Sequence, residues 1–424
     1  VANARTTLYA VMMVSLLGTA GIALPYPVLT PFFMEEGSDN AITQFLGLHP
    51  KILLGIILAL YPVGLLIGST FVGALSDLCG RKRVLIVTLL LAVASYGLTG
   101  YAVSLESYPL FALARLLTGL CESNIAVSRA IALDLHPAVD RTRAVSLVFA
   151  MNYAGWLVGP LAGAYLMPLG VDAVFYIAGL VTLVATFAVY VSILETTTDR
   201  APAQGLWRAM IRHNSLSLLK VPSIRPLLAY HLLYTLGLNA FYEFYPLWMV
   251  ESFGFGPEQI GWGTVAITVA MVVSSICVLT PLSRRFAQLT LVVVGSCTLG
   301  VLLMMLPLAG ALSLYLVFAA CGAIIGITNG IFPTYMANRF ESYGQGRVTG
   351  LLASSFCVSN VIMALVGSFI ALIGASWSLL SGGVICVLAS VWLHQRVVIR
   401  DDSAADVISG EPIGAASESL SADG

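Results

Sequence analysis

The sequence predicts an all-α membrane protein of twelve transmembrane helices, arranged as two pseudo-symmetric six-helix bundles. Composition is the first reason. Of 424 residues, 58% are apolar and 10% charged, against roughly 25% charged in soluble domains. A soluble chain of this length needs a charged surface to stay dispersed. The second reason is run length: stretches near the ~20 apolar residues that cross ~30 Å of hydrocarbon recur along the chain. The third is a long polar interruption from Glu195 to Ile224, which divides these runs six and six.

In order, the apolar runs cover 8–34, 52–76, 84–104, 108–133, 144–168 and 173–194, then 226–250, 259–282, 288–309, 312–338, 348–373 and 376–394. The first run is too long for a signal peptide and has no small-residue cleavage site behind it, so it is expected to stay as a span. The chain thus divides into a first bundle (1–194), a linker (195–224), a second bundle (225–394) and a tail (395–424). In the linker, Trp207, Met210 and Ile211 alternate with Arg208 and Arg212, the pattern of a short helix lying on a membrane surface. The tail is rich in Ser, Ala, Gly and Asp and is expected to be disordered.

Basic residues set the orientation. With a cytoplasmic N-terminus, the inner segments hold seventeen Lys and Arg, and the outer loops hold Lys51 alone. This places both termini in the cytoplasm of a multi-pass inner-membrane protein. Near-neutral net charge suggests no nucleic-acid partner. The seven cysteines fall in spans or on the inner side, so no disulfide is expected.

Between the second and third spans runs GALSDLCGRKR, Gly73 to Arg83. Gly73 and Gly80 allow close packing and a tight turn, Asp77 supplies an acceptor, and Arg81, Lys82 and Arg83 supply donors. A positive-inside loop accounts for the basic cluster alone, but not for the whole spacing. That spacing resembles the loop signature of the major facilitator superfamily, with Leu78 where a basic residue is usual. RLLTGLCESN, from Arg115 to Asn124, and the terminal Asp134, followed by Arg141 and Arg143, are similar to the family's fourth-helix pattern. GWLVGPLAGA, from Gly155 to Ala164, resembles the Gly-Pro signature of its drug/proton antiporter branch, with Ala164 in place of the usual last glycine. In the second half, Ser283-Arg284-Arg285-Phe286 stands as a degenerate copy of the loop.

The resemblance implies two halves that rock about a central site, with Asp77, Asp134 and nearby arginines such as Arg81 and Arg143 latching the cytoplasmic side. Gly155, Gly159 and Gly163 form a small-residue stripe, and Pro160 bends its helix. Gly322, Gly326 and Gly330 repeat the stripe in the tenth span. Ordinary packing and gating both explain such stripes.

Four charges fall inside the spans: Arg115, Glu122, Arg129 and Glu243. Each costs about 2.5–3.5 kcal/mol at mid-membrane and so needs a partner, a cavity or a route to the interface. The first three are seven apart, which on a continuous helix places them on one face. Glu122 then reads as a protonatable carboxylate tuned by arginines, or as part of a structural network. Thr235, Asn239 and Glu243 form a polar stripe, with Tyr230, Tyr234, Phe241, Tyr245 and Trp248 on the other side. His231 is the one histidine well inside a span, and hydrogen-bonded packing explains it better than ligation. Asn329 and Asn360 are candidate cavity donors. Tyr26, Tyr61, Tyr153, Trp156, Trp262 and Tyr335 are candidates for an amphipathic lining.

No HExxH, nucleophile elbow, P-loop or Cys/His cluster occurs in the chain. The expectation is therefore a secondary transporter without metal or cofactor, acting as a monomer on a small-molecule substrate with protons and the lipid bilayer as partners. By resemblance it is a proton antiporter working in efflux by alternating access. A proton symporter importing an anionic or zwitterionic nutrient, and an intramembrane enzyme, are the alternatives.

Overall fold

The computed structural model of the chain describes residues 2–35, 40–122, 124–193 and 215–398, without some side chains inside its helices. The expected surface helix around Trp207–Arg212 lies outside the described residues, as does the tail beyond 398. No strand occurs among the described residues.

The first half begins with α1 (Ala2–Ala23) and α2 (Tyr26–Met34), one pass interrupted at Leu24-Pro25. It continues through α3 (Pro50–Cys79) and α4 (Arg81–Ser104), then α5 (Tyr108–Cys121) and α6 (Asn124–Asp134), which share the fourth pass, and closes with α7 (Arg141–Leu166) and α8 (Val171–Ser192). The second half holds α9 (Arg225–Phe253), then α10 (Pro257–Val273), which runs through a π turn at Ser274–Val278 into α11 (Leu279–Arg285). It ends with α12 (Gln288–Met305), α13 (Ser313–Arg339), α14 (Gln345–Ala371) and α15 (Ala375–Leu393). A further π turn, His394–Val398, extends the last pass beyond the expected boundary at 394.

Among the described residues, ten helical stretches are long and apolar enough to cross a membrane. The interrupted α5–α6 pass and the 29-residue α9, whose stripe makes it more polar, complete twelve. Local chemistry sets the ends. Pro50 opens α3, where the His49 imidazole accepts from the Lys51 N–H at 3.2 Å. Gly80, at φ 95°, turns the chain from α3 into α4 in a conformation that other residues avoid.

Helix neighbours repeat with an offset of six passes. Within the first half, α1 packs on α7 and α8, α3 on α5, and α4 on α5 and α8. Within the second, α9 packs on α14 and α15, α10 on α13, and α12 on α13 and α15. Each pair in one list has its counterpart in the other. The halves meet along two symmetric seams, α3 against α14 and α7 against α10.

The glycine stripe belongs inside one half. A Cβ at Gly155 would stand 2.6 Å from Thr19 Cβ, one at Gly159 would stand 2.5 Å from the Ala20 carbonyl, and one at Gly163 would strike the Leu24 carbonyl. All three glycines therefore let α7 lie directly on α1, and the stripe is not the surface on which the halves slide. Between the halves, Gly261 of α10 faces Ala164, to which its Cβ would come within 3.0 Å. The methyl that departs from the usual signature is thus accommodated by a glycine across the seam.

The apolar core also differs between halves. One cluster runs through the second half. In the first half it splits into three: a cluster around Val84, Leu89 and Val148, another around Phe33, Phe111 and Phe175, and a small one of Leu24, Val28 and Val174.

Candidate substrate and proton site

The fourth pass was expected to be one continuous helix carrying Arg115, Glu122 and Arg129 on one face. It is not. α5 ends at Cys121, Glu122 caps it outside helical geometry, and α6 starts at Asn124. The seven-residue spacing consequently says nothing about where Arg129 points, and its side chain lies outside the described residues. Those of Asp77 and Arg143 do too.

Glu122 sits at this break and is buried, 5% exposed. Tyr96 Oη of α4 donates to its Oε1, and the Tyr61 hydroxyl of α3 also approaches it. Its Oε2 has no partner and is closed to solvent. Arg115, 4% exposed, lies over the Tyr61 ring with 5.1 Å to the centroid, a cation–π contact. Its Nε is likewise buried and unpartnered, and no described acid pairs with it within 4 Å.

Across the interface, Glu243 of α9 is 3% exposed. Asn360 Nδ2 of α14 donates to its Oε1 at 2.8 Å and to Asn239 Oδ1 at 3.1 Å. Its Oε2 is unpartnered, as in Glu122. Arg115 acts electrostatically on Glu122, Glu243 and the Tyr26 hydroxyl, so the field of one cation in the first half reaches carboxylates of both halves. Tyr26 begins α2 just past the first-pass break and meets Trp156 edge-on at 5.5 Å. Most buried polar atoms find partners in native structures. Three orphaned atoms on three charged groups in one neighbourhood are what a site awaiting a ligand or a proton would present.

The polar stripe of α9 faces α14. His231 Nδ1 meets Ser355 Oγ at 3.1 Å, Thr235 Oγ1 meets Ser359 Oγ at 2.8 Å, and Asn239 and Glu243 meet Asn360. On the other side, Phe241, Tyr245 and Trp248 pack on Phe318 of α13. Ser355 and Ser359 were not singled out from the sequence, although with Asn360 they supply the opposite rungs. Their signal was a spacing of four in the eleventh span.

Other candidates fall elsewhere. Asn329 is exposed and outside this network. Trp262 is 46% exposed. Tyr335 lies under the Arg339 guanidinium near the end of α13, away from the centre. Arg81 Nε pairs with Asp134 Oδ2 at 2.9 Å, and Lys82 Nζ donates to the Tyr190 carbonyl at 2.9 Å. Both contacts lie within the first half.

Other contacts, at the opposite end, join the two halves. Lys51 Nζ of α3 lies 2.5 Å from Glu251 Oε1 of α9 and donates to the Ala371 carbonyl of α14 at 2.7 Å. Tyr165 Oη reaches Glu258 Oε1 at 3.5 Å on the opposite seam. Sequence reading noted Lys51 only as the lone basic residue of the outer loops and passed over Glu251.

Comparison with known proteins agrees with this architecture. The Major Facilitator Superfamily profile matches residues 11–357 and 244–413. The chain is 25% identical to the class E tetracycline resistance protein of Escherichia coli, over 93% of this chain and 95% of that protein. It is 23% identical to multidrug resistance protein 2 of Bacillus subtilis, over 93% and 97%. A solved D-xylose–proton symporter superposes with a TM-score of 0.70 at 16% identity, covering 92% of this chain and 96% of the other. With its twelve paired passes, this chain belongs to the Major Facilitator Superfamily and is a membrane transporter rather than an enzyme.

Proposed function

We propose that the protein exports a small organic solute in exchange for protons, with Glu122 and Glu243 as the exchangeable carboxylates and Arg115 as the cation they share. The observation that carries this reading is the set of orphaned atoms: Glu122 Oε2, Glu243 Oε2 and Arg115 Nε, all buried and unpartnered. A carboxylate that takes a proton no longer bears the cost of a charge facing a dry interface, which frees the halves to move. A solute with a cationic or hydrogen-bond-donating group binds the ionised carboxylates through these same unpartnered oxygens, while Tyr26, Tyr61 and Trp156 supply amphipathic surface. Solute and proton thereby compete for one balance of charge. The full-length similarity to resistance proteins supports efflux as the direction.

The end bearing Arg81, Arg225 and Arg396 is assigned to the cytoplasm on the basic-residue asymmetry. In a Cys277→Ser background, impermeant maleimide should label exposed Cys79 in inside-out vesicles and not in right-side-out ones.

Proteoliposomes loaded with a pH dye test the coupling. A tetracycline or organic-cation gradient should drive protons the opposite way, and Glu122→Gln and Glu243→Gln should each abolish this. Protons moving with the solute would replace antiport by symport. Intact coupling in both variants would remove these carboxylates from the mechanism.

A further inference from the structure

The start of α9 is flanked by two grooves that Glu122, Glu243 and Arg115 do not line. One, of about 370 Å³, is lined by Arg225, Pro226, Ala229, Trp392 and Arg396. The other, of about 300 Å³, shares Arg225 and Ala229 and is otherwise walled mainly by apolar residues, among them Leu228, Leu232, Leu351 and Val358, with Ser354 and Ser355 on one side. Arg225 spends its Nε on the Leu219 carbonyl at 2.8 Å. Arg396 lies over the Trp392 ring at 5.2 Å, and Trp392 Nε1 donates to the Pro226 carbonyl at 3.2 Å, fixing the indole between the passes. Among the described residues, no acidic one lines either groove.

We propose that these grooves form one binding site for an anionic phospholipid, with its phosphate on Arg225 and Arg396 and an acyl chain along Leu228, Leu232, Leu351 and Val358. Charge complementarity and continuity both favour that occupant. Two guanidiniums make the bidentate, weakly hydrated donor set that suits a phosphodiester. The apolar groove begins at one of them, so headgroup and chain are served from the same mouth. Trp392 at this level is the amphipathic residue expected where hydrocarbon meets headgroups. Basic pockets between passes recognise anionic headgroups in this way.

Full-length protein, delipidated in neutral detergent, would be titrated with phosphatidylglycerol, with phosphatidylcholine of the same chains and with inorganic phosphate, and bound lipid counted by native mass spectrometry. One phosphatidylglycerol should be retained where phosphatidylcholine is not. Arg225→Gln/Arg396→Gln should weaken it roughly thirty-fold, while Arg284→Gln/Arg285→Gln, an equal charge loss at the same end, should not. If the first pair fails to fold, Ala229→Leu, which fills the wall common to both grooves, must lower retention instead. Equal weakening by both pairs would reduce the site to diffuse attraction and overturn it. So would equal retention of phosphatidylcholine, or displacement of the lipid by phosphate at matched concentration.

Discussion

At the residue scale, the two glutamates should separate stability from activity. Each is buried with one oxygen bonded and one orphaned. Replacing such a group by glutamine keeps the shape and an acceptor while removing a charge that is costly to bury. Glu122→Gln and Glu243→Gln should therefore leave the melting temperature unchanged or raised while proton-coupled transport is lost. Asn360→Leu should act in the opposite sense on stability. It removes the donor to Glu243 Oε1 and to Asn239 Oδ1, leaving buried acceptors bare at about 1–3 kcal/mol. Thermal unfolding in detergent should register that loss in Asn360→Leu and no loss in the glutamine variants. A fall of equal size in all three would make the carboxylates structural.

At the scale of elements, the seams divide into those that hold and those that move. Gly163 lies against the Leu24 carbonyl inside the first half, so Gly163→Ala forces α7 off α1. Overpacking of this kind costs about 1–3 kcal/mol and should lower thermal stability without favouring either open state. Gly261 faces Ala164 between the halves. Gly261→Leu should instead wedge that seam, visible as increased cysteine accessibility beside Ala164 with little change in unfolding temperature.

These distinctions were only partly legible in the sequence. Run lengths and Lys/Arg placement were enough for twelve passes in two halves, because the bilayer dictates both. Spacing by four was enough to put Thr235, Asn239 and Glu243 on one face. The breaks were not read, although Pro25 and the pair Ser123-Asn124 are poor helix formers. Counting by sevens assumed a continuity that these residues deny. Partners from distant passes, such as Ser359 for Thr235 or Glu251 for Lys51, carry no local signal at all.

For the whole molecule, the decisive contact is Lys51 with Glu251, because it joins α3 of one half to α9 of the other. Lys51 also donates to the Ala371 carbonyl, so a single side chain holds the first half to two helices of the second. Glu251 in turn accepts from the Ala375 N–H at 2.8 Å, which anchors the receiving side. In the exchange proposed above this end must open, and every such opening must break the pair. The two side chains are 14% and 28% exposed, so solvent screening limits the pair to the order of 1 kcal/mol. That is small beside the stability of a bundle. It is still about fivefold in the ratio of two states of similar energy. Lys51→Ala and Glu251→Gln should each shift the population toward the form open at this end, read as longer distances between spin labels placed on α3 and α14. Reversing the pair, Lys51→Glu with Glu251→Lys, should recover part of the closed population while losing the bond to Ala371. Unchanged distances in both single variants would mean that the close-packed seams, above all Gly55 against Ser368 and Ala364, hold this end without help from charge.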